Sequence, residues 1–182
     1  MQFRLSPPKS LLALMLLATL LAGCGRPDAN AFPPACPRAA ILGDAADLVR
    51  YRDGGGRDLT DLTLAGRIVG VSGQCQPGDT PRELQATMQV TVELTRGPAR
   101  QLREAEVSIF VAVSEGDRIL DKKLFPLRAA FSPNIDKLRL TTEAIAMVLP
   151  VSPDKSGAAY ALTAGFQLTP EELERNRTRP AP

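Results

Sequence analysis

Acid–base and nucleophilic chemistry needs side chains that change charge, or attack, near neutral pH. This chain of 182 residues has few of them. It contains no histidine, the side chain whose unperturbed pKa lies nearest neutrality. Ser-His-Asp and Cys-His arrangements are therefore impossible within it. Acid–base work would fall to carboxylates or lysines. Past the N-terminal apolar run the lysines are Lys122, Lys123, Lys137 and Lys155, none in an apolar setting that would lower its pKa. Asp53, Asp58 and Asp61 lie beside the run Gly54-Gly55-Gly56. Aspartates among glycines suit calcium, but the spacing departs from the EF-hand loop, and the glycine-aspartate pattern is not repeated along the chain. Arg52 and Arg57 also offset the charge. The triple glycine lacks the Gly-Lys-Ser/Thr continuation of a phosphate-binding loop and follows no clear strand. A solvated loop is expected over 52–61, with a calcium or partner contact as the alternative. Arg100, Arg103 and Arg128 are read as surface charges. No catalytic residue, metal site or cofactor is predicted.

The elements that would position any site are mostly strands. Leu84, Ala86, Met88, Val90, Val92 and Leu94 alternate with polar residues, the period of a strand with one buried and one wet face. Val107, Ile109, Val111 and Val113 repeat the pattern over 106–114. Glu115-Gly116-Asp117 is turn chemistry, so 118–127 is expected to form a hairpin with that strand. Further strands are expected over 62–74, 137–149 and 158–168. Gly66, Gly70 and Gly73 inside the first of these predict a bulge or a close backbone approach. Residues 45–51 read as a short helix capped by Asp44, with an extended segment over 39–42 also open. Near the C-terminus Thr169, Pro170 and Glu172 form a capping box with proline at the first helical position, predicting a helix over 170–175. About six strands with turn-rich links and no βαβ alternation give an all-β chain. The expected fold is a single β-sandwich, loosely immunoglobulin-like, with a short C-terminal helix; a closed barrel is the alternative. Phe110, Phe125, Phe131, Tyr160 and Phe166 are read as core aromatics rather than a stacking platform.

The N-terminus decides where the protein works. Arg4 and Lys9 precede thirteen uncharged residues, Leu11 to Gly23. That run is too short to span a bilayer, which takes roughly 20 apolar residues, and suits a secretory signal. It ends in Leu21-Ala22-Gly23-Cys24, which resembles the lipobox of bacterial lipoproteins. The resemblance implies cleavage of residues 1–23 and acylation of Cys24, an anchor strong enough when more than one chain is attached. In such proteins an Asp after the acylated cysteine favours inner-membrane retention. Gly25 stands there, which implies the outer membrane, facing the periplasm. Residues 24–37, rich in Pro, Ala and Gly, read as a flexible tether. The folded domain is expected over 38–176, with a loose tail over 177–182.

The first 23 residues hold two basic groups and no acid, so the remaining chain carries 20 basic and 20 acidic residues. A neutral chain without a basic run gives no reason to expect nucleic-acid binding. Cys36 and Cys75 remain once Cys24 is assigned to lipid, and in an oxidising compartment they are expected to pair. Two thiolates without histidine do not make a typical zinc site. The order of Cys36-Pro37, RDLTD (57–61), GQC (73–75), RGPA (96–99) and GFQLTPEELERNR (165–177) resembles an uncharacterised bacterial lipoprotein family. It transfers no catalytic residue. The function expected is that of a non-enzymatic, lipid-anchored envelope protein that contacts other envelope proteins. A binding module for a small molecule, glycan or lipid is the alternative, and a carboxylate enzyme a third reading.

Overall fold

The computed structural model describes residues 35–178. The expected signal segment 1–23, Cys24, the expected tether before Ala35 and residues 179–182 lie outside the described residues. Two separate hydrogen-bonded sheets face each other as a β-sandwich, not a closed barrel. One has the order β1 (Arg38–Ile41), β9 (Tyr160–Phe166), β5 (Glu104–Glu115), β6 (Arg118–Ala130). The other has β2 (Asp47–Tyr51), β3 (Leu62–Pro77), β4 (Glu83–Arg96), then β7 (Lys137–Thr141) and β8 (Ile145–Pro150) end to end along the outer edge of β4. β1 runs parallel to β9, and every other pairing is antiparallel.

The alternation read from the sequence sets the core. Leu84, Ala86, Met88, Val90, Val92 and Leu94 of β4 point inward and are almost completely buried. Val107, Ile109, Val111 and Val113 of β5 and Tyr160, Leu162, Ala164 and Phe166 of β9 meet them from the opposite sheet. β3 carries both features that its glycines predicted. Its register with β4 shifts between Ile68 and Gly70, leaving Val69 as a bulge. A Cβ on Gly66 would lie 2.9 Å from Leu94 Cδ2 and 3.0 Å from Phe166 Cζ, so this strand crosses the core closely only because it lacks a side chain there. Phe131, Tyr160 and Phe166 are core residues, and Phe125 packs against them. Phe110 instead sits on the outer face of its sheet with Ala45, Ala112 and Leu168.

Three expectations need correction. Residues 45–51 are not a helix: a 3-10 turn at Gly43–Ala45 leads into strand β2. Asp44 makes no capping bond there and pairs instead with Arg177 at 3.1 Å. The strand wins because Leu48 must enter the core and its backbone must complete the edge of β3, which outweighs a single capping residue. Residues 137–149 form two strands, not one. Residues 142–144 leave the ladder, while Thr142 keeps the chain on β4 by donating its N–H to Val90 O (3.0 Å) and accepting Val90 N–H at its hydroxyl (3.1 Å). The C-terminal helix α1 (Pro170–Thr178) runs past the boundary at 176, so Arg177 and Thr178 belong to the domain and not to a tail. The extended reading of 39–42 agrees with β1.

Candidate functional site

Two of the three loop carboxylates, Asp58 and Asp61, are spent on structure, and Asp53 does not join them in a cluster. Asp61 is one of two buried charged residues among those described. It accepts the Gly56 N–H at 2.6 Å and pairs with the Arg52 guanidinium. A Cβ on Gly55 would lie 2.8 Å from Asp61 Oδ1, so the glycine run lets the loop wrap this carboxylate. Asp58 accepts the Thr60 hydroxyl (2.6 Å), the Thr60 N–H (2.8 Å) and the Asp61 N–H (3.2 Å). Those bonds, the Thr60 hydroxyl foremost, hold its carboxyl below the usual range. The loop is thus internally satisfied, and no group of three or more metal-ligating side chains gathers among the described residues.

Glu172, the other buried charge, closes both halves of the capping box. It accepts the Thr169 N–H at 2.8 Å and donates its own N–H to Thr169 Oγ1 at 3.2 Å. Its second oxygen takes Arg50 Nε at 3.0 Å. Around it, Arg175 donates to Val49 O, and Asn176 donates to Asp44 O and Asp47 O. A helix with Leu173 as its only large apolar residue is therefore held across β2 by polar contacts. The capping box was legible in the sequence; the partners 122 and more residues away were not.

The four lysines are engaged too. Lys122 lies over the Phe110 ring at 4.4 Å, and Lys123 pairs with Asp121 at 3.6 Å. Lys137 pairs with Glu93 at 2.6 Å. Lys155 pairs with Glu115 at 2.7 Å and lies 4.6 Å from the Tyr160 ring. Glu115 raises the Lys155 pKa above its ordinary value, the opposite of what an amine nucleophile or base requires.

What the surface does offer is β6. It pairs with β5 on one side only and is the sheet's outer edge. Ile119 is 66% exposed, Leu120 41% and Leu124 55%. The edge is guarded against strand addition. Leu120 is an extra residue in the register, where Ile119 faces Ser114 and Asp121 faces Val113. Lys122, Lys123 and Pro126 follow; bulges, lysines and prolines are the devices that block edge pairing. In the sequence, the broken alternation of RILDKKLFPL is that signal, and it identifies the edge strand. Beside the C-terminal half of β6 lies an open hollow of about 520 Å³. Its floor is Ala105, Ala129 and Ala130, and its rim carries Leu102, Arg100 and Arg128. Arg128 pairs with Glu106 at 3.0 Å, and Arg100 Nε donates to Glu104 O at 2.9 Å. Two arginines read as plain surface charges thus frame a concavity, while Arg103 donates to Ser132 O at 2.9 Å. At the opposite end of β6 a smaller hollow, about 130 Å³, opens between the sheets against β8.

Cys36 and Cys75 form a disulfide, as expected, with Cα atoms 5.8 Å apart, which fixes the start of the described chain to β3. The chain matches no family model, no curated protein and no solved structure.

Proposed function

We propose that this chain is a non-enzymatic lipoprotein of the bacterial envelope, acylated at Cys24 and docking other envelope proteins along the β6 flank. The observation that carries this reading is the thirteen-residue edge strand, with Leu124 exposed on it and an open hollow beside its C-terminal half. A guarded edge favours contact through side chains and the adjoining hollow over addition of a strand. The order of short motifs supports membership of the uncharacterised lipoprotein family it resembles. The Gly25 position supports the outer membrane, facing the periplasm.

The test is crosslinking in the native host, purification of the lipidated protein and mass spectrometry. The expected result is a reproducible set of envelope proteins that disappears in a Leu124→Asp, Arg128→Glu variant. A second reading, a binding module for a small molecule, glycan or lipid, is favoured by the 520 Å³ hollow, which falls within the range of roughly 300–1,000 Å³ common for ligand sites. Recovery of a co-purifying small molecule, with no protein partner, would replace the first reading by the second.

A further inference from the structure

The strand register ties the place where the chain enters the domain to one exposed apolar cluster. Arg38, two residues after Cys36, lies opposite Ala161; Ala161 lies opposite Ser114; Ser114 lies opposite Ile119. These four residues form one row across the sheet. In the other sheet Cys75 lies opposite Ala86, and Ala86 opposite Met147. Both half-cystines therefore sit in, or next to, rows that run across to the β6–β8 flank. There Leu120, Met147, Val148 and Tyr160 line the smaller hollow. Val148, 61% exposed, and Leu120, 41% exposed, meet at that hollow, and Ile119, 66% exposed, precedes Leu120 at the same end of β6.

The opposite end of the sandwich also exposes single apolar residues, Leu59, Leu102 and Ile135. Length decides between the two ends. Cys24 and Ala35 are eleven residues apart, a reach of at most about 40 Å when fully extended. Cys75 faces Ala86, and from Ala86 β4 runs ten residues on to Arg96, about 33 Å. An upright domain with its far end on the bilayer would hold the tether almost fully extended, at a cost in chain entropy, whereas the Cys36–Cys75 end lies well within its reach. The disulfide adds to this constraint, because it keeps the chain from peeling off to lengthen the tether.

We infer that the Cys36–Cys75 end of the sandwich rests on the phospholipid surface, with Ile119, Leu120 and Val148 in its interfacial layer. This rests on acylation of Cys24. Apolar side chains at that depth leave water. The larger hollow at the far end of β6 then faces away from the membrane, where a soluble partner can approach it.

The chain contains no tryptophan, so a single introduced indole reports one place. The lipidated full chain carrying Ile119→Trp, Val148→Trp or Leu59→Trp is reconstituted in phosphatidylethanolamine/phosphatidylglycerol vesicles, with and without brominated acyl chains. Circular dichroism and the non-reduced mass verify fold and disulfide. The expected result is a blue shift and loss of emission in brominated vesicles at positions 119 and 148, and neither at 59. Unquenched emission at all three positions in protein that floats with the vesicles overturns the inference and leaves the anchor standing. A blue shift without quenching also overturns it, and assigns the cluster to a second copy or another protein. Protein that neither floats nor carries acyl mass overturns the anchor, and this inference with it.

Discussion

Replacing Glu172 by alanine removes the carboxylate that holds helix α1 to the sandwich. It abolishes the bond from Thr169 N–H and the ion pair with Arg50, in a helix with little apolar surface to dock by. Loss of a capping interaction costs about 1 kcal/mol. A hydrogen bond to a charged group is worth about 1.5–3 kcal/mol. However, the Arg50 side chain is 37% exposed, so solvent screening places this pair at about 1 kcal/mol. The expected loss is about 2 kcal/mol, or about 6 °C in Tm for a domain of this size. Thr169→Ala, which removes the reciprocal bond alone, is expected to lose about 1 kcal/mol. Glu172→Gln keeps an acceptor for the Thr169 N–H and should fall between the two. Urea unfolding followed by far-ultraviolet circular dichroism measures each variant, and an unchanged m-value establishes that the same surface is buried. A Glu172→Ala protein within ~0.5 kcal/mol of the parent, inside the range of ordinary surface changes, would refute the account of a helix held by this carboxylate.

The Cys36–Cys75 bond closes a segment with a sequence separation of 39. The paired Cys36→Ser, Cys75→Ser variant is expected to lose up to roughly 4 kcal/mol in urea, and an unchanged midpoint would dismiss the clamp. Asp61→Ala strips the acceptor from Gly56 N–H and the partner from Arg52. Its expected cost is about 1–2 kcal/mol, with new tryptic cleavage at Arg52 and Arg57; since Asp58 and Asp61 are already occupied, millimolar calcium should not raise the parent's Tm, and a rise would revive the calcium reading. Glu93 is held below its ordinary pKa of 4.5 by bonds from Lys137 and then Arg139. A carboxyl depressed in the folded state stabilises above its unfolded pKa and loses that contribution as pH falls through the folded value. The urea midpoint should therefore drop as pH falls below 4.5, by less in Glu93→Gln; equal drops would discount this cluster.

Local pattern carries as far as local physics does. The strict alternation in β4 and β5 made those strands and their inward faces legible, because a period of two leaves one face for the core. The capping box Thr169-Glu172 specified its helix for the same reason: both of its bonds close within four residues. The absence of histidine settled by itself that no histidine-based triad can operate. Signals weaker than their surroundings were overridden. Asp44 invited a helix, but β3 needed an edge partner and Leu48 needed the core, so residues 47–51 became a strand. The continuous pattern over 137–149 could not reveal that Thr142 would substitute its hydroxyl for a ladder partner. Sequence named Asp61 as a possible calcium ligand and Glu172 as half of a capping box, and only the tertiary structure brought Arg52 and Arg50 to them. It also made β6 an unpaired edge, and joined the disulfide, through strand register, to Ile119 and Met147. Those are relations between residues distant along the chain, and closure of both sheets is what creates them.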